Sequence, residues 1–136
     1  MTMNTRFSMA VHIMTALAYL KQQISSELLA GSVNTNPVVV RRLLGLLNSA
    51  GLIKAERGIA GGFSLAHAPE NISLLEIYRA VLDEQNLVGL HDNPKNKACA
   101  VSCKVRGALA VHLGKAQSAY EQELAKVKLT DIEKIM

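Results

Sequence analysis

The chain has 136 residues, 49% of them hydrophobic but only 4% aromatic, with no Trp and a formal net charge of +4. That length and apolar fraction suit one compact domain with an added oligomerisation element built on an aliphatic core, and they exclude wholesale disorder. Two cysteines are too few for a secreted disulfide scaffold, and no apolar run approaches the ~18 residues a membrane helix needs.

The opening Met1-Thr2-Met3-Asn4-Thr5-Arg6 lacks a basic, then apolar, then small-residue cleavage pattern. No signal peptide and no membrane partner are expected, and the cytoplasm is the expected location. From about Thr5 to Leu20, Val11, Met14, Leu17 and Ala18 recur at helical spacing and predict a first core helix, with Arg6 in its opening turn. Ser25 or Ser26 can cap a short second helix that runs through Glu27-Leu28-Leu29-Ala30 to about Val33. Asn34-Thr35-Asn36 then reads as a polar turn.

Asn36 caps a third predicted helix with Pro37 at its first position, where a missing N–H costs nothing. Its core face would hold Val40, Leu43, Leu47 and Ala50, which leaves Arg41, Arg42, Gly45, Asn48 and Ser49 on the other side. Gly51 is a natural stop. Leu52-Ile53-Lys54-Ala55-Glu56 can pair as a strand with Phe63-Ser64-Leu65 across the glycine-rich turn Gly58 to Gly62. Ser73-Leu74-Leu75-Glu76 has the form of a capping box and opens a helix to about Leu82. A polar stretch from Asp83 to Ala98 precedes a long helix over 101–126, striped by Val105, Leu109, Leu113, Ala116, Tyr120 and Leu124 and continued by Val127. Thr130-Asp131-Ile132-Glu133 offers a capping box for a terminal turn.

A short helix, a tight turn, a second helix bearing arginines and then a glycine-tipped hairpin form a specific order. Together they predict a mainly α winged helix-turn-helix with a two-stranded β-wing. Arg41 can donate two hydrogen bonds to a guanine edge, and Val38 on the same leading edge can meet a thymine methyl. Asn34, Thr35, Asn36 and Arg42 can anchor phosphates, as can Arg6. Arg57 can reach phosphate or a minor groove, while Gly61 and Gly62 let the wing backbone approach closely. The charge is distributed to match. Residues 1–67 carry six Lys/Arg against two Asp/Glu, whereas 68–136 carry nine against nine. Two ordinary arginines on a solvated face, or arginines that dock an acidic protein, would give the same local pattern.

The stretches Asn34 to Arg42, Ala50-Gly51-Leu52-Ile53, Arg57 to Leu65 and Ile72 to Val81 resemble the bacterial winged-helix regulators typified by IscR, NsrR and CymR, the Rrf2 family. Asn34 to Arg42 looks most like the YwnA branch. The resemblance covers nearly the whole chain. It implies a homodimeric transcription factor, usually a repressor, that binds a roughly palindromic double-stranded DNA site. It also implies a long C-terminal helix that forms much of the dimer interface. The near-3.5-residue spacing along 101–127 points independently to a partner helix, although a helix lying flat on its own domain would also be striped.

Sensor members of that family hold an iron–sulfur cluster with three cysteines spaced Cys-x5-Cys-x5-Cys. Cys99 and Cys103 are two, spaced Cys-x3-Cys, so no cluster or other metal is expected, even with His91, Asp92 or His112 as added donors. Lys95, Lys97, Lys104 and Arg106 flank the pair and would favour thiolate, as in a thiol switch. Small residues packing a loop would serve equally, and spacing alone does not settle a disulfide. No nucleophile, base and orienter set is present, so no enzyme is expected. The expected organisation is a DNA-binding domain over 1–82, a connecting loop over 83–100, and a dimerisation helix with a C-terminal turn over 101–136. The alternative is a winged-helix protein-interaction module that does not bind DNA.

Overall fold

The computed structural model describes residues 4–136. Met1, Thr2 and Met3, where the reading for a signal peptide and the expected first domain begin, lie outside the described residues.

Helix α1 (Arg6–Leu20) buries Ala10, Ile13, Met14, Leu17 and Ala18. The expected stripe is therefore centred nearer Ile13 than Val11, which is only half-buried. Lys21 ends the helix in the left-handed region at φ 53°. Helix α2 (Ser26–Val33) is capped by Ser25, whose Oγ accepts from the Leu28 N–H at 3.2 Å. Asn34 at φ 62° turns the chain into α3 (Pro37–Ser49), where Asn36 Oδ1 accepts from the Val38 N–H at 2.9 Å. A cap of this kind is worth about 1 kcal/mol. It also fixes where α3 starts, and hence the direction its arginines face.

Helix α3 buries Val40, Leu43, Leu44 and Leu47. Leu44 joins the expected core face because α3 packs on α2, α4 and α1 rather than on one neighbour. Ala50, expected in the core, is exposed: it is the C-cap, and Gly51 at φ 76° has already turned the chain away. Strands β1 (Ile53–Glu56) and β2 (Gly62–Leu65) pair antiparallel, Ile53 opposite Leu65 and Glu56 opposite Gly62. Ile24 adds a one-residue third rung, bonded both ways to Phe63 at 3.0 and 2.9 Å.

A short 3-10 turn (Pro69–Asn71) leads to α4 (Leu74–Val81). The predicted capping box is present: Ser73 Oγ accepts from the Glu76 N–H, and Glu76 Oε1 accepts from the Ser73 N–H. Helix α5 (Ala100–Lys126) is 27 residues long, about 40 Å at 1.5 Å per residue, and none of its residues is fully buried. It is moored to α4 by the Tyr78 and Tyr120 rings, 5.7 Å apart and edge-on, and by Arg79 to Glu121 at 3.5 Å. Burial, and then the phenol of Tyr78, hold Tyr120 above the ordinary tyrosine range, so the ring is uncharged at neutral pH. Gln117 ties the connecting segment down, donating to Gln85 O at 2.7 Å and accepting from the Leu87 N–H at 2.9 Å.

Helix α6 (Leu129–Lys134) corrects one expectation. Its cap is Lys128, whose N–H donates to Asp131 Oδ2 at 2.8 Å, and not Thr130. The backbone there is held by pairing across the fold: Leu129 donates to Ile72 O at 3.0 Å, and Leu74 to Val127 O at 2.9 Å. Leu129 is completely buried in the same core as Ile13, Leu47 and Ile77. The terminal turn thus packs into the N-terminal body rather than extending α5. The result is a mainly α winged helix-turn-helix with a two-stranded wing and a long C-terminal helix.

Candidate nucleic-acid interface

The outer face of α3 follows from its core face. With Val40, Leu43, Leu44 and Leu47 turned inward, Arg41 and Arg42 are forced outward, and both are exposed. Val38, on the first turn, is 54% exposed. Asn34 and Asn36 are exposed and Thr35 is half-buried in the turn that leads in. Asn36 uses its Oδ1 for the cap, which leaves its NH2 as the donor end. Among the described residues, Arg41, Arg42 and Arg57 have no carboxylate within salt-bridge distance. Arginines left unpaired at the N-terminal half of a capped helix can donate to phosphate or to base edges.

Arg6 is placed differently. It lines one depression with Arg42, Asn4, Thr5 and Val39, between the start of α1 and α3. Its Nη1 also reaches Val81 O at 3.4 Å and Asp83 Oδ2 at 3.6 Å. Asp83 is almost fully exposed, so that ion pair is weak and solvent-screened. Arg6 therefore joins Arg42 while being steered by the end of α4.

In the wing, Arg57 is exposed at the end of β1, and the two glycines have roles that bulk alone does not reveal. A Cβ on Gly61 would lie 2.3 Å from Glu56 O. On Gly62, at φ 154°, it would lie 2.8 Å from the backbone of Ile24. Gly61 closes the wing turn and Gly62 seats the wing on the strand-like residue before α2. Gly61→Ala is expected to lower stability by about 1–3 kcal/mol, because the clash is with backbone that cannot rotate away. Thermal unfolding would measure the loss. The sequence reading passed over Ile59, which is fully exposed at the wing tip. A lone β-branched residue among glycines was the available signal.

Cys99 and Cys103 sit half-buried at the start of α5, and Cys103 Sγ lies 3.7 Å from Asn96 O. Arg106 beside them donates to His91 O at 2.8 Å. Among the described residues, no group of three or more His, Cys, Asp or Glu could hold a metal ion. Two thiols without a third donor do not fit an iron or iron–sulfur centre held by this chain. No helix among the described residues is long and apolar enough to cross a membrane.

The sequence model of a family described as "Rrf2: Iron-dependent Transcriptional regulator" matches residues 3–134. The chain is 43% identical over 129 residues to YwnA of Bacillus subtilis (strain 168), by name a candidate HTH-type transcriptional regulator, covering 95% of each. It is 30% identical over 134 residues to the HTH-type transcriptional regulator NsrR of Bacillus licheniformis, covering 97% of this chain and 90% of that one. A crystal structure described as that of a candidate DNA-binding protein superposes with a TM-score of 0.76 at 40% identity, over 94% of this chain and 98% of the other. CymR, the global cysteine regulator of B. subtilis, shares the fold, with a TM-score of 0.76 at 21% identity over 100% of this chain and 98% of that one.

Proposed function

Because this chain belongs to the Rrf2 family of transcriptional regulators, we propose that it works as a homodimeric repressor, placing two α3 helices in successive major grooves of a palindromic duplex. It is a DNA-binding helix-turn-helix regulator and not an enzyme. The observation that carries the reading is the exposed Arg41 and Arg42, without a carboxylate partner among the described residues, on the outer face of a capped helix beside a wing. Arg41 with Val38 reads base edges. Arg42 and Arg6, with Asn34, Thr35 and Asn36, hold phosphates on one side. Arg57 reaches phosphate or minor groove from the wing. Acting on DNA, the protein works in the cytoplasm.

Two features support the dimer. The accessible surface is 9031 Å², against roughly 6,900 Å² for a compact monomer of this mass. Val101, Val105, Leu109 and Val111 on α5 are also exposed large hydrophobics, at 67%, 43%, 45% and 59%. A long helix with exposed large hydrophobics and no fully buried residue is suited to a second copy, and two-fold symmetry would space the α3 helices one duplex turn apart.

Regulation by thiol chemistry is the part of the reading that involves Cys99 and Cys103, which are half-buried and flanked in the sequence by Lys95, Lys97, Lys104 and Arg106. No cluster is invoked. Selecting bound duplexes from a random pool, under reducing and then oxidising conditions, tests the whole reading. Inverted repeats with half-sites about 10 base pairs apart are expected, with affinity falling steeply as salt rises. Oxidation is expected to weaken binding by the unmodified protein but not by Cys99→Ser/Cys103→Ser. Enrichment of no duplex at low salt would favour the protein-interaction module. Equal oxidation sensitivity in both proteins would remove the thiol switch alone.

A further inference from the structure

Ile59 is 110% exposed, more than an extended chain would leave it. Its neighbours Gly58, Ala60 and Gly61 are too small to shield it. The backbone beneath it is nonetheless fixed. Gly58 holds φ 107°, the Gly61 N–H donates to Gly58 O at 3.0 Å, and Gly61 leaves no room for a side chain against Glu56. The other end of the hairpin is clamped by the pair of bonds between Phe63 and Ile24. A hydrogen-bonded turn thus presents a single branched aliphatic side chain, with Arg57 two residues before it and Lys54 on the preceding strand β1.

Resting on the DNA-binding reading above, we propose that Ile59 is an apolar wedge that the wing presses into the minor groove beside each half-site, selecting base steps that unstack readily. Among the described residues, the other large exposed hydrophobics lie on α1, α2, α3, α5, the connecting segment or the C-terminal end, none of them in the wing. A protein partner would find no contiguous apolar area at the tip, whereas a minor groove about 6 Å wide takes one aliphatic side chain at a time. Arg57 supplies the charge that a narrow groove attracts. Aliphatic side chains inserted from the minor-groove side part adjacent base pairs, and pyrimidine–purine steps such as TpA yield most easily. Ile59 would then add selectivity outside the bases that α3 reads.

The test uses the full-length protein and two duplexes: one enriched from the random pool, and the same duplex with its flanking TpA steps changed to GpC. Ile59→Ala and Ile59→Leu are compared with the unmodified chain. Since the side chain touches nothing in the fold, both variants should fold normally. Ile59→Ala is expected to bind the enriched duplex about tenfold more weakly and the altered duplex almost unchanged, while Ile59→Leu keeps the preference. A 2-aminopurine placed at the step should brighten on binding of the unmodified and Leu proteins but not the Ala protein. Equal affinities of Ile59→Ala and the unmodified protein for the enriched duplex would overturn the wedge, as would flanks with no enriched pyrimidine–purine step. If the unmodified protein binds no duplex at all, the DNA-binding reading fails along with it.

Discussion

Replacing Val105 and Leu109 by glutamate is expected to leave the winged helix folded and to weaken binding to a palindromic duplex by about 10²- to 10⁴-fold. The two side chains are 43% and 45% exposed, so the domain core does not depend on them. Their loss would act through the second copy. In the proposed dimer two α3 helices would reach one duplex, and once the first is seated the second would bind at a high effective concentration. Four carboxylates facing each other across a desolvated helix pair would remove that advantage, because buried like charges repel and lose hydration. Sedimentation should show a monomer, circular dichroism should show unchanged helix, and a duplex titration should show the drop. A double variant that stays dimeric would move the interface elsewhere on the surface.

Replacing Arg41 by alanine is expected to cost roughly 1–3 kcal/mol of affinity for the selected duplex and to relax base preference at one position of each half-site. Arg41 lies on the outer face of α3, five residues after the Asn36 cap, and has no carboxylate partner among the described residues. Lysine is not expected to restore selectivity, since it lacks the planar fork that satisfies both acceptors of a guanine. Arg42→Ala should behave differently. It shares its depression with Arg6 and the start of α1, an arrangement suited to phosphate. Its loss should weaken all duplexes alike and reduce the salt dependence by about one charge. If the two variants give the same selectivity profile, the division between base reader and phosphate anchor is wrong.

Much of this was legible because several signals are local. Asn36-Pro37 announces the start of α3 through cap chemistry, and the Ser73 to Glu76 box does the same for α4. Once the register of α3 is known, Arg41 and Arg42 must face out. The family is equally visible in the glycine wing and the helix after it. What escaped depends on contacts far apart in the chain. Ile24 forms a β-bridge only because Phe63 passes beside it. The Thr130 to Glu133 pattern is sound locally, yet Lys128 caps α6 because Ile72 and Leu74 pin the backbone around it. Gly61 and Gly62 read as freedom for DNA approach; that Glu56 and Ile24 also crowd the places their side chains would take was not visible. Arg6 reads as a phosphate anchor in the opening turn of α1, and that the end of α4 also reaches it, through Val81 O, was not visible. Ile59 drew no notice because an exposed aliphatic has no periodicity.

The most direct test is the mass of the protein–DNA complex, measured by sedimentation or light scattering on a duplex carrying one complete inverted repeat. Two chains per duplex are predicted, bound together and released together as salt rises. One chain per duplex at full affinity would contradict a two-fold reader of successive grooves.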